Sequence, residues 1–193
     1  MLDPDFTTFP IINTERILLR QIQESDAASI LNLRSSEVVM KYIDKERAKN
    51  MGDAMAYIER VTNDFSKGDG ISWGMALLEE PDKLIGTIGL WRIIKQHYRA
   101  EIGYMLHPDL WGNGFTNEVV KAVIAYGFQT IQLHSIEAHI NPGNTASAAL
   151  LSSNGFIREA YFKEDYFFRG KFLDSAIYSL LNKLPFNETI TVA

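Results

Sequence analysis

The segment Trp111-Gly112-Asn113-Gly114-Phe115-Thr116 places two glycines between a strand-like stretch and a helix-like one. Glycine lets the main chain come close to a ligand. The first N–H groups of a helix lack partners, and the positive end of the helix dipole lies behind them. Such a corner favours an anion, a pyrophosphate among them. Glycines also serve plain turns, so the loop alone does not decide. Two phosphate loops are disfavoured: the third glycine of a dinucleotide fingerprint falls on Asn117, and no Gly-Lys-Ser/Thr follows for a nucleoside triphosphate. Cysteine is absent, which excludes disulfides, thiolate nucleophiles and thiolate metal sites together, so any reacting sulfur must arrive with a ligand. His97, His107, His134 and His139 form no HExxH or close helical pair. They read as surface or strand residues, and no metal is expected.

The elements that must position this loop follow from periodicity. Arg16 to Gln23 reads as a first strand, with Ser25 or Asp26 able to cap the helix carrying Ala27, Ile30, Leu31 and Arg34. A stronger helix lies between Arg47 and Lys67, where Ala54, Ile58, Val61 and Phe65 recur at helical spacing until Gly68-Asp69-Gly70 stops it. Three β-like runs follow, Ser72–Glu79, Lys83–Ile94 and Ala100–Leu106, as an antiparallel meander. The glycine loop then opens a helix with Phe115, Val119, Val120, Val123, Ile124 and Phe128 on one stripe, leading to a strand over Ser135–Ile140. Strand, helix and strand in succession predict parallel neighbours joined by a right-handed crossover. A short helix over Asn144–Asn154 ends at Gly155, and the runs Ile157–Phe168 and Lys171–Leu181 pair through Arg169-Gly170. The fold class is α/β in the α+β sense: a mixed, mostly antiparallel sheet, parallel at its centre, with helices packed on it.

The 193 residues, 46% hydrophobic and 22% charged, suit one domain with a buried core and rule out disorder as the main state. No apolar run approaches the roughly 18 residues of a membrane span. The N-terminus has acids and a proline where a secretory signal needs a basic start, so a cytoplasmic protein is expected. The net charge of −5 argues against bulk nucleic acid or a membrane surface as partner. The first dozen residues and the tail after Pro185 read as unstructured, and the glycosylation sequon at Asn187 as accidental.

Three segments together resemble the GNAT superfamily of N-acetyltransferases, in particular its RimJ/RimL-like branch acting on ribosomal-protein N-termini. Trp111 to Thr116 is similar to the family's pyrophosphate loop. Ala100-Glu101-Ile102-Gly103-Tyr104-Met105-Leu106 is similar to its central strand. Asn141 to Leu150, with Asn154-Gly155-Phe156, is similar to its second cofactor motif. Order and spacing agree, and the likeness spans roughly residues 12–182 of a single domain covering 1–193. It implies a splayed parallel strand pair ending near Leu106 and Ile140, helices on both faces, and acetyl-CoA in the gap. Pantetheine would pair with the edge of Tyr104, Met105 and Leu106 as an added strand. Pyrophosphate would rest on amides of Trp111, Gly112, Asn113, Gly114, Phe115 and Thr116. Asn144 and Asn154 would be polar contacts along pantetheine and toward the thiol.

The resemblance also implies roles for direct attack of an amine on the thioester in a ternary complex. Glu101 is the candidate base, directly or through water; its other reading is an exposed strand carboxylate or ion-pair partner. Leu151 stands where many relatives have a tyrosine acid, and Ser147 is the candidate replacement, with Tyr104 and Tyr161 as substitutes. Thr116 stands where the family usually has Gly or Ala and either crowds the phosphate or lends it a hydroxyl; Asn113 replaces the frequent Lys or Arg and removes one favourable charge, while the backbone amides still carry the site. The late aromatics Tyr161, Phe162, Tyr166, Phe167, Phe168 and Phe172 read as an acceptor-groove wall, a dimer contact, or a strand pair facing the core. The acceptor is a primary amine, with a protein N-terminus as leading candidate. A small-molecule amine or a non-catalytic acyl-CoA-binding module is the alternative. A monomer or homodimer is expected.

Overall fold

The computed structural model describes residues 2, 4 and 6–183. Its strands are β1 (Ile12–Asn13), β2 (Ile17–Gln21), β3 (Ile71–Leu77), β4 (Gly86–Ile94), β5 (Arg99–Leu106), β6 (Ser135–Ile140), β7 (Ile157–Phe168) and β8 (Lys171–Leu181). The helices are α1 (Ala27–Ser35), α2 (Glu37–Met40), α3 (Met51–Ser66), α4 (Phe115–Gln129) and α5 (Thr145–Ser153). The strands form one sheet in the order β1-β2-β3-β4-β5-β6-β8-β7. Every described pair is antiparallel except β5 with β6. The mixed fold class, with its parallel centre, is the expected one.

The two central strands part for a structural reason. β5 and β6 pair only from Arg99 with Ser135 to Glu101 with Glu137. Beyond that, β5 stays with β4 as far as Leu106 opposite Gly86, while β6 stays with β8 as far as Ile140 opposite Ala176. Each strand follows its outer neighbour, and sheet twist opens a gap between them.

Helices cover both faces. Val119, Val120 and Val123 of α4 sit fully buried with Ile102 and Leu106 of β5 in the larger core. Burying each valine is worth about 1.5–3 kcal/mol, against at most about 0.7 kcal/mol for a β-branched residue in a helix. Burial therefore sets the helix despite its weak propensity. On the opposite face Ile30 and Leu33 of α1 meet Ala54, Ile58 and Val61 of α3, with Met105 packed against them.

Three expectations are corrected. The described part of the first dozen residues is not loose: Phe6 and Phe9 stack on Phe65 at 5.0 and 4.9 Å, and Pro10 accepts a 2.8 Å bond from the Trp73 indole. Aromatic area anchors a segment that lacks periodicity. Asp26 does not cap α1: its buried carboxylate accepts from the Gln23 amide at 2.8 Å and pairs with Arg20 at 2.8 Å, closing a 3-10 turn instead. The late aromatics do not face the core as a set, because the outer part of the β7–β8 hairpin runs past the end of β6, which pairs with β8 only over residues 176–181. Tyr161, Phe162, Phe167 and Phe172 are exposed, while Tyr166 turns into the cleft. The tail after Pro185 and the sequon at Asn187 lie outside the described residues.

Candidate active site

The glycine loop joins β5 to α4 in the way its residues dictate. Pro108 opens a 3-10 turn, and the Trp111 indole donates back to the Leu106 carbonyl at 2.9 Å. Gly112 and Gly114 take φ of +78° and +80°, where a side chain would strain the backbone. No side chain caps α4, so the amides of its first turn face outward without a protein acceptor. Asn113 folds its amide onto the Leu110 and Trp111 carbonyls at 3.2 Å each and stays clear of the loop's concave side.

Sequence reasoning missed the brace under this loop. The Arg16 guanidinium donates to Glu118 at 2.8 Å and to the Asn113 carbonyl at 3.1 Å, and stacks 4.5 Å from the Phe115 ring centre. Burial pushes the Glu118 carboxyl up. The Thr14 hydroxyl, with the Arg16 amide and guanidinium, outweighs it and holds the group below its ordinary value.

The gap beside β5 presents an unpaired strand edge. The His107 amide donates 2.9 Å to Ile85 on the β4 side. Main-chain groups alternate in direction along a strand, so Met105 also turns toward β4 while Tyr104 and Leu106 turn toward the gap. Met105 is thus corrected as a main-chain partner; its side chain lines the cleft and packs on the second core.

A cleft of about 860 Å³ opens here, lined by Glu101, Tyr104, Met105, Asn144 and Ser147 among others. That is within the roughly 300–1,000 Å³ of small-molecule sites. Glu101 is 8% exposed and accepts from the Arg92 guanidinium at 3.0 Å. Arg92 reaches it because β4 bulges between Trp91 and Ile94, with Arg92 at φ +51°. Trp91 covers the neighbouring Gly103, where a Cβ would stand 2.1 Å from the ring. Further along β5 the Tyr104 hydroxyl meets Ser147 Oγ of α5 at 2.8 Å. Burial pushes the Tyr104 phenol up, partly offset by Ser147, so it keeps its proton at neutral pH.

The remaining expected residues sort by what holds them. Asn144 lines the cleft and caps α5, its Oδ1 accepting from the Ser147 amide at 3.1 Å. The Asn154 amide donates to Asn117 and to the Leu150 carbonyl, both at 2.8 Å, bracing α5 against α4. Tyr161 is corrected as an acid, because its exposed hydroxyl donates to Asp174 away from the cleft. Leu151 is fully buried. The far wall joins two distant segments: the Tyr166 hydroxyl donates to Asp44 at 2.5 Å, and Arg169 donates to both Glu46 oxygens at 3.1 and 2.8 Å. Among the described residues no three His, Asp or Glu side chains group as metal ligands.

Residues 16–157 match the acetyltransferase (GNAT) domain family. The chain belongs to that family and is a GNAT N-acetyltransferase using acetyl-CoA. Over 173 residues it is 35% identical to an uncharacterized N-acetyltransferase, YoaA, of Bacillus subtilis, covering 90% of this chain and 97% of that one. It is 24% identical to the ribosomal protein uS5-alanine N-acetyltransferase of Escherichia coli, covering 88% of this chain and 89% of that one. A GNAT acetyltransferase structure from Bacillus anthracis superposes with a TM-score of 0.79 at 28% identity, over 89% and 98% of the two chains. A Vibrio cholerae spermidine N-acetyltransferase, solved with CoA and spermine, gives 0.75 at 24%, over 86% and 95%.

Proposed function

We propose that this single-domain enzyme acetylates the α-amine of a peptide or protein N-terminus from acetyl-CoA, in a ternary complex, in the cytoplasm where that thioester is made. The supporting observation is two proton-handling groups lining one cleft: Glu101, and the hydroxyl pair of Tyr104 from the same strand with Ser147 of α5. The open edge of Tyr104 and Leu106 suits pantetheine, and the amides from Gly112 through Thr116 suit pyrophosphate, as the free N-terminus of α4 and the bare Gly112 fit a close-lying anion; the Trp111 amide is spent on the Pro108 carbonyl at 3.0 Å. Acetyl-CoA supplies an activated acyl carbon and a thiolate leaving group.

Glu101 takes the proton of the incoming ammonium, directly or through one water, freeing the nitrogen lone pair for attack. The new N–C bond forms as the C–S bond breaks. Ser147, held by Tyr104, gives a proton to the departing sulfur, and the second proton, shed by the acylated nitrogen as it becomes an amide, passes through water to restore the hydroxyl pair. An α-amine with pKa about 7.7–8.0 needs little help, whereas a lysine amine near 10.4 needs far more.

The cleft lining carries both signs: Glu101 pairs with Arg92 and Asp64 with Arg60, Asp44 and Asp165 accept from the Tyr166 and Ser175 hydroxyls, and Asp69 also lines it. Carboxylates without a cation beside them would also suit a polycation, which makes spermidine the rival acceptor. Thiol release from acetyl-CoA, followed with free and N-blocked peptides and with spermidine, tests the reading. Free N-termini should react and blocked ones should not; preferential turnover of spermidine or of blocked lysine peptides would replace it.

A further inference from the structure

The cleft has a second charged end that the transfer chemistry leaves unused. Arg34, in the last turn of α1, lines it with Tyr57 and Arg60 of α3. The packing of α1 on α3 stacks the three side chains: the guanidinium carbons of Arg34 and Arg60 lie 4.6 and 5.1 Å from the centre of the Tyr57 ring. The other cations of the lining have evident circumstances. Arg60 pairs with Asp64 at 3.2 Å, Arg92 pairs with Glu101 at 3.0 Å, and Lys45 is exposed.

Arg34 differs from all three. It is half-buried, and no carboxylate among the described residues pairs with it. Burial lowers its pKa; the Tyr57 hydroxyl opposes that and the charge of Arg60 adds to it. No described polar side-chain atom is sealed from solvent without a partner, so the N–H groups of Arg34 reach the space of the cleft. A position near the C-terminus of α1 accounts for a positive charge there, but not for withdrawing that charge beside a second arginine. Arginine's planar fork suits a carboxylate through two parallel bonds, and a partly desolvated site strengthens them.

We propose that Arg34 binds a carboxylate carried by the amine acceptor, so that the substrate class is an amine bearing a carboxylate. The source is either an acidic side chain close behind a peptide N-terminus or the carboxyl of a free amino acid. This rests on the N-acetyltransfer reading above, with the amine at Glu101 and the carboxylate at Arg34 in one cleft.

Matched acceptor twins test it with the intact enzyme, acetyl-CoA and thiol release. One arm uses peptides with Asp or Glu at the second or third position against their Asn or Gln twins; the other uses amino acids of graded length against their carboxamides. The carboxylate twin should have a kcat/KM higher by about tenfold or more, as for one charge-assisted bidentate pair, with the difference in KM. Arg34→Gln should remove that ratio, and Arg34→Lys should keep only part of it, with CoA affinity by calorimetry and Tm unchanged. Should the variants fail to fold, the wild-type ratio still decides. Equal kcat/KM for the twins with sustained thiol release overturns the carboxylate inference and leaves amine acetylation standing. Bound CoA with no thiol release from any acceptor overturns both. The arm in which the ratio appears identifies the carboxylate's source.

Discussion

The hydroxyls of Tyr104 on β5 and Ser147 on α5 lie 2.8 Å apart and tie that strand to the helix in the lining of the cleft. On the proposed reading, in which the two act as one relay, Tyr104→Phe and Ser147→Ala should each lower kcat at least about tenfold, the scale of general acid catalysis. KM for acetyl-CoA should stay near wild type, and the double variant should be no slower than the worse single one. Multiplying losses in a steady-state double-mutant cycle, or an unchanged kcat, would remove the relay from the mechanism.

Glu101→Gln retains a hydrogen-bond acceptor for Arg92 but not a base. Its kcat/KM should fall most below the α-amine's own pKa, about 7.7–8.0, and recover as rising pH deprotonates the acceptor without help. A pH–rate profile with a peptide acceptor checks this. A loss that is flat across pH would assign Glu101 a purely structural part.

Glu118 links the glycine loop to the start of β2 through Arg16 and Thr14. Its folded carboxyl has a lowered pKa, so the stability it lends is full above the ordinary value near 4.3 and disappears as pH falls through the folded one. Glu118→Gln should therefore lower Tm at pH 7, with the two melting curves converging in acid. The same variant should raise KM for acetyl-CoA, since the loop loses its brace. Scanning calorimetry across pH and a KM measurement read both effects.

Gly103→Ala places a methyl where the Trp91 ring now lies. Overpacking of this kind costs about 1–3 kcal/mol, and a displaced ring would also deform the acceptor side of the cleft. Tm and acceptor kcat/KM should both drop. Pairing the change with Trp91→Leu should restore part of the stability, which a simple loss of backbone freedom would not.

How far these positions can be read without coordinates follows from the range of the interactions. The stripe on α4, the two glycines and Glu101 on its strand are local patterns, and they stand where periodicity puts them. Arg16 under the loop, Ser147 beside Tyr104 and Trp91 over Gly103 join residues distant along the chain or across a ladder, and no spacing rule announces such contacts. Arg92 turns onto Glu101 through a positive φ at a bulge, which nothing in its neighbours demands. The hairpin misled for a physical reason: alternating aromatics normally mark a buried face, but the outer part of the β7–β8 hairpin runs past the end of β6 and stands in water.

The contacts Asp44–Tyr166 and Glu46–Arg169 span 122 and 123 residues and fasten residues 44–46 to the β7–β8 hairpin beside the cleft. Neither segment belongs to the glycine loop or to the free edge of β5. On the proposed reading, donor handling and acceptor choice are then written in different stretches of the gene, and a transplant of residues 41–50 together with the β7–β8 hairpin would carry selectivity as one cassette. Moving either alone would unlatch the wall, so descendants of this fold that change acceptors should alter both stretches in concert.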